Sequence, residues 1–244
     1  MNEGHEKIEG GEIVVENRFL RWLDNFWYHN KWTVIVVGFF LIIGVIGFVQ
    51  CASNKQSDLI VTYTGDYAMS EEERQRLLTV LESLTLKKKD GVGRQSVKLN
   101  NYLIYDPEKL KEAFTDEDGE LYLMGYNNTL AESKKSLQAF DSYVGTGDSA
   151  LYLISEYAYG LRPDLGVMMR PLDTLCGENR PESAYDDYAI RLADTAFYRY
   201  YQGILGFIPK DTLLLMPAKT VFTDEQDYAN YEALWHAIVE FQEP

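Results

Sequence analysis

Cysteine is scarce: Cys51 and Cys176 are the only two in 244 residues, too few for a disulfide framework or a cysteine-built zinc site. Histidine is equally sparse, and His5, His29 and His236 lie far apart in sequence. Basic residues are outnumbered 23 to 38, which leaves a net charge of −15 and a pI near 4.6. That balance excludes a nucleic-acid partner, because phosphate backbones require Lys/Arg clusters. No internal repeat and no low-complexity tract is present. The apolar share of 46% and charged share of 25% are those of a globular chain. The length fits one medium domain, or a domain with an appendage.

What the chain does contain is one long uncharged run. From Trp32 to Val49 the only polar residue is Thr33. As a helix this run is roughly 27 Å long, close to the hydrocarbon thickness of a bilayer. It has no polar face, and too little chain precedes it to wrap it in protein. A transmembrane helix over 32–50 is therefore expected, with the lipid bilayer as a partner. Lys7, Arg18, Arg21 and Lys31 precede the run, whereas only Lys55 is basic in the next twenty residues. The positive-inside rule puts the N-terminus in the cytoplasm and the C-terminal part outside the cell membrane. A cleaved signal peptide would have a shorter leader and a small-residue cleavage site. A lipid-modified Cys51 would want a small residue before it, where Gln50 stands.

Residues 1–31 form the expected cytoplasmic segment. Within it Phe19, Trp22, Leu23, Phe26 and Trp27 fall at helical spacing, opposite Asn17, Arg18, Arg21, Asp24 and Asn25. That pattern predicts an amphipathic helix lying in the headgroup region. A plain helical extension of the span and a docking face for another membrane protein are the alternatives. Residues 51–57 read as a short polar tether.

Residues 58–244 hold 32 acids and 18 bases, net −14 and nearly all of the net charge; 1–31 hold six acids and four bases, the run holds none and Lys55 adds one base. Strand-like stretches occur at 59–64, 97–105, 150–154, 188–192 and 213–216, with short extended pieces at 120–124 and 167–169. Between them, Ser70 with Glu73 spells a capping box ahead of Leu77, Leu78, Leu81 and Leu84. Asp106-Pro107 opens a short helix, Asn128–Tyr143 is helical, residues 155–160 make a helical turn and Thr195–Gln202 a short helix. Residues 176–187 read as a loop. Thr223 with Gln226 spells a second capping box before the last helix, lined by Tyr228, Tyr231, Leu234, Trp235, Ile238 and Phe241. The alternation predicts an α/β fold: one transmembrane helix, then a single three-layer α/β domain on a mixed, mostly parallel sheet.

Motifs that carry chemistry are few. Asp116-Glu-Asp-Gly119 fails as an EF-hand loop, because Phe114 and Gly125 would occupy ligand positions; it reads as a solvated turn. Gly145-Thr-Gly-Asp148 lacks the lysine of a phosphate loop and precedes a strand. Asn127-Asn-Thr129 spells a glycosylation sequon. His236 sits beside an apolar stripe and reads as packing. No nucleophile, base and orienting group can be assembled, and no cofactor or metal site is spelled. Tyrosine is abundant, 18 residues, all but Tyr28 beyond the run. Their dispersal suits strand packing better than a recognition surface.

The stretch from Asp141 to Leu175 reads as helix, Gly/Asp turn, the strand Ala150-Leu-Tyr-Leu-Ile154, the turn Ser155-Glu156-Tyr157 and then Met169-Arg-Pro-Leu-Asp-Thr-Leu175. Together with the strands at 59–64 and 97–105, it resembles the first lobe of extracellular solute-binding proteins of ABC importers. The resemblance implies a ligand at the strand ends, near Gly65, Asp66, Tyr67, Tyr105, Ser155 and Glu156. Open α/β sheets bind at the carboxyl ends of their strands by the same logic. The block Trp22-Leu-Asp-Asn-Phe-Trp-Tyr-His-Asn-Lys-Trp32 is also similar to small anchored bacterial proteins of unknown function from Gram-positive gut species. The candidate ligand-binding residues are thus Asp66, Tyr67, Tyr105, Ser155 and Glu156, which suit a cationic or sugar-like ligand. The expected function is a non-catalytic extracytoplasmic binding or interaction module, with a membrane transporter or other membrane protein as partner. An accessory subunit of a membrane complex without a small-molecule ligand is the alternative, and a hydrolase-like enzyme the third.

Overall fold

The structure is a computed structural model that describes residues 18–53, 57–88, 93–177, 179–221 and 223–243. The chain divides into two compact units, Met1–Gln56 and Ser57–Pro244.

Among the described residues the first unit holds one helix, α1 (Arg18–Ser53), 36 residues long. Within it Phe26–Ile46 is long and apolar enough to cross a membrane, with a mean hydropathy of 1.7, and none of that window is buried. A helix near the N-terminus with this composition serves as a membrane anchor or as a signal sequence. The backbone helix is continuous through the amphipathic stretch and runs on through Cys51, Ala52 and Ser53, where a tether was expected. The side chains of 18–25 and 47–53 lie outside the described residues, as does Asn17, and with them Cys51 and all of the expected amphipathic face but Phe26 and Trp27, which are exposed.

The second unit is built on one five-stranded sheet, ordered β2-β1-β3-β5-β4. The strands are β1 (Leu59–Gly65), β2 (Val97–Leu103), β3 (Leu151–Ser155), β4 (Ala189–Arg191) and β5 (Thr212–Leu215). Pairings of β1 with β2 and with β3 are parallel; those of β5 with β3 and with β4 are antiparallel. The sheet is therefore mixed, with parallel and antiparallel pairings in equal number.

Alternate strand residues point to opposite faces, and the buried side chains sort accordingly. Val61, Tyr63, Leu151, Leu153, Ile190 and Leu214 belong to one cluster with Leu77, Leu81, Leu234 and Trp235. The first pair comes from α2 (Glu71–Leu84), the second from α10 (Glu225–Val239). Tyr152, Ile154, Ala189, Leu213 and Leu215 belong to the other, with Phe140 and Val144 of α4 (Leu123–Val144). Tyr63, Tyr152 and Tyr198 are buried among these side chains, so at these positions tyrosine serves packing.

Helix starts follow local capping chemistry. Ser70 and Glu73 form a complete capping box on α2. Asp106 caps α3 (Pro107–Ala113), with proline in the first turn. The last helix differs from expectation: Asp224, not Thr223, caps α10 by accepting from the Gln226 N–H at 2.8 Å. The Thr223 hydroxyl is engaged instead with that of Thr220, 2.8 Å away. Two expected extended pieces are also corrected. Leu121 makes only an isolated bridge to Thr115, and α4 begins at Leu123. Leu165–Met168 is a helical turn, α6, with a single bridge from Met169 to Pro217.

Shorter helices complete the unit: α5 (Glu156–Gly160), α7 (Leu172–Cys176), α8 (Ala196–Tyr200) and α9 (Gln202–Leu205). Cys176 carries a free thiol. The turn at 116–119 holds itself closed, with Asp116 Oδ1 accepting from the N–H groups of Asp118 and Glu120. Asn127 of the sequon lies within α4.

Candidate functional site

Because β1 and β3 are parallel neighbours, registered from Val61↔Leu151 to Thr64↔Ile154, their carboxyl ends close at one edge. Strand β5 runs the other way, so its first residues meet the same edge; Thr212 pairs with Ser155. Asp66, Glu156 and Asp211 are thereby collected from three chain segments.

A chain of polar contacts links them. Lys109 of α3 lies 3.5 Å from Asp66 and 3.2 Å from Asp211. The Asp211 carbonyl accepts the Glu156 N–H at 3.0 Å. The Glu156 carboxylate pairs with Arg191 at the end of β4, whose guanidinium also sits 5.2 Å from the Tyr185 ring centroid and 3.7 Å from Asp194. Asp66, Asp211, Glu156 and Arg191 keep between 25% and 32% of their side-chain surface exposed, and Lys109 keeps 57%. Ion pairs this wet contribute about 0–1 kcal/mol each, so a ligand could exchange partners with them at little cost in stability. Three carboxylates here face two cations, and Asp194 adds a fourth acid, so the rim stays anionic.

Beneath it lies the Tyr63 hydroxyl, fully buried and without a hydrogen-bond partner among the described residues. Burial pushes this phenol above its ordinary pKa, and the charges of Asp66 and Asp211 add to the rise. The Tyr67 backbone N–H stands outside hydrogen-bond geometry, yet near enough to offset the rise in part. Tyr105 stands beside the cluster; burial and the Asp66 carboxylate raise its hydroxyl pKa too. Its backbone N–H donates to Ser133 Oγ of α4 at 2.9 Å.

The five residues expected from sequence divide. Asp66, Tyr105 and Glu156 contribute to this rim. Tyr67 instead donates its hydroxyl to Glu73 at 2.8 Å and stacks on Phe207, centroids 6.1 Å apart. Ser155 is buried and caps α5, its Oγ accepting from the Ala158 N–H at 3.2 Å. Tyr63, Lys109, Arg191 and Asp211 were not anticipated. Only Asp211, polar and directly ahead of an apolar strand, carried a local signal. Elsewhere, His236 meets Trp235 edge-on and Glu240 at 2.8 Å, a local helix contact. Among the described residues no group of three or more His, Cys, Asp and Glu is arranged to hold a metal ion.

No family model matches the chain, and neither a curated protein nor a solved structure matches it.

Proposed function

We propose that this chain is a single-pass membrane protein, N-terminus in the cytoplasm, whose outer domain is a non-catalytic binding module. The rim of Asp66, Lys109, Asp211, Glu156 and Arg191 is its contact site, and a cationic or sugar-like ligand is its occupant. The observation that carries this is the unpartnered, buried Tyr63 hydroxyl beneath a wet anionic rim at the carboxyl ends of two parallel strands. Such edges are where open α/β sheets hold ligands, and an orphaned buried hydroxyl is a cost that a ligand or an ordered water would offset. In the same proposal the domain is a three-layer sandwich, similar to a single lobe of a solute-binding protein, and associates with a transporter. The length and apolar composition of Phe26–Ile46 support the anchor. Lys/Arg asymmetry around it supports the orientation.

A second function has its own support. Tyr122, Leu123 and Met124 stand exposed together at the start of α4. Adjacent large apolar side chains in water favour a protein contact, as an accessory subunit would make.

The test is a thermal-shift screen of the full chain in detergent against sugars, cationic amino acids and polyamines. A stabilising compound should lose its effect on the Asp66→Ala/Glu156→Ala double variant. An unchanged shift would remove the rim as the site. If nothing in the screen stabilises the chain while a membrane protein co-purifies in mild detergent, and Leu123→Ser/Met124→Ser abolishes that capture, the accessory subunit stands instead.

A further inference from the structure

The sheet has two edges, and the fold treats them differently. At β4 the outward backbone groups are covered by the preceding loop: the Arg191 N–H donates to the Ser183 carbonyl and the Tyr185 N–H to that of Ala189, both at 2.8 Å. At β2 the cover is incomplete. In a parallel ladder each residue turns its N–H and C=O to the same side, and successive residues alternate. The Leu59 N–H donates to the Ser96 carbonyl at 3.0 Å and the Ile104 N–H to that of Gly65 at 2.9 Å. Even-numbered residues of β2 therefore face β1, and odd-numbered ones face outward.

Side chains from two helices satisfy the ends of this outward row. Glu82 of α2 accepts the Val97 N–H at 3.0 Å, and Arg74 of α2 donates to the Leu99 carbonyl at 3.2 Å. At the far end Ser133 of α4 accepts the Tyr105 N–H. Between them, the outward N–H and C=O of Asn101 and Leu103 have no partner among the described residues. They open on a groove of about 670 Å³, whose opposite wall is α4 at Asn128, Thr129, Ser133 and Ser136.

We propose that this gap is a strand-addition site, which takes an extended peptide of net positive charge between β2 and α4. An open edge is a template for another strand. A peptide laid along 101–103 meets two N–H donors and two C=O acceptors in ladder geometry. Ser133 stands on the outward side of the strand, so in a β2-to-β2 pairing each copy's α4 would obstruct the other's edge, which favours a lone peptide over a second copy. The charge follows from the surroundings. The groove's own charged side chains, Glu132 and Lys135, neutralise each other at 2.6 Å, while the domain around it carries −14. An acidic peptide is repelled and a basic one drawn in. The amide and hydroxyl lining accommodates polar side chains.

The test uses the full chain in nanodiscs and a panel of linear peptides alternating Lys or Arg with Thr, Val or Ser. Controls carry Glu for Lys, or alternate N-methylated backbone. Binding is read by fluorescence anisotropy and by amide hydrogen exchange. The expected result has the amides of Asn101 and Leu103 exchanging fast in the free chain and slowing at least tenfold with a basic peptide. Those of Asn100 and Tyr102 stay protected throughout, and both controls fail to bind. Leu103→Pro removes an outward donor without touching the β1 ladder and should weaken binding at least tenfold. Asp66→Ala/Glu156→Ala should leave it unchanged, which separates this edge from the rim. The proposal is overturned if no peptide of the panel protects these amides, or if N-methylation is without effect. It is equally overturned if protection rises with protein concentration alone, which would make a second copy the occupant.

Discussion

The hydroxyl of Tyr63 lies where a side chain at position 65 would begin. A Cβ placed on Gly65 stands 2.6 Å from Tyr63 Oη and 3.0 Å from Cζ. Tyr63 is fully buried and has little room to withdraw. Gly65→Ala should therefore destabilise the domain by about 1–3 kcal/mol, the usual range for overpacking. Tyr63→Phe removes the nearer atom and an unsatisfied hydroxyl together, so it should be close to neutral alone and recover part of the Gly65→Ala loss in the double variant. Denaturant melts of the four chains give the coupling. Strict additivity would mean that the two positions do not touch.

The start of the last helix offers a sharper discrimination. Asp224→Ala should cost about 1 kcal/mol, as loss of an N-cap does. Thr223→Ala should cost less, because the Thr223 hydroxyl meets that of Thr220 and does not cap the helix. Equal losses by thermal denaturation would return the cap to Thr223.

Alkaline stability should be set by tyrosine. Burial pushes the Tyr143 phenol up to about 12, and moves Tyr152 upward as well. The folded chain thus holds the phenolic proton more tightly than the unfolded chain, whose tyrosines titrate near 10. The resulting stability is complete below about pH 10 and is lost as pH rises through about 12. Melting temperature against pH, with tyrosinate absorbance recorded in parallel, should show a fall over that interval. Tyr143→Phe should flatten it. An identical alkaline slope in both chains would exclude Tyr143 as a contributor.

Topology is open to direct measurement. Protease added to intact cells should digest residues beyond 57 and leave a membrane-held fragment containing 18–53. Complete protection of the C-terminal domain would reverse the orientation.

Much of the sheet was legible because its strands announce themselves locally. Leu59–Thr64 and Ala150–Ile154 are β-branched, aromatic or apolar runs stopped by polar turns, and both form strands at those places. The Ser70/Glu73 box is equally local. The start of α4 was not legible. Tyr122, Leu123 and Met124 are apolar yet exposed, so they trace no helical face. Gly125, a poor helix former, is required because a Cβ there would stand 2.5 Å from the rings of Phe114 and Tyr122. At the rim, an acid following a strand was visible at Asp66 and Glu156. Their partners were not, because Lys109 and Arg191 come from other segments and carry no local mark of their destination.

Strand β4 is synthesised before β5 yet has β5 as its sheet neighbour, and Lys109 meets Asp211 across 102 residues of chain. Trp235, fully buried against the sheet, arrives later still. No amino-terminal portion of this domain can close its own sheet while the chain is emerging. Its folding must wait for the carboxyl end, and contacts of such long range make that folding slow. While the chain emerges, the sheet would therefore stand open, edges and apolar faces uncovered, until α10 has been made.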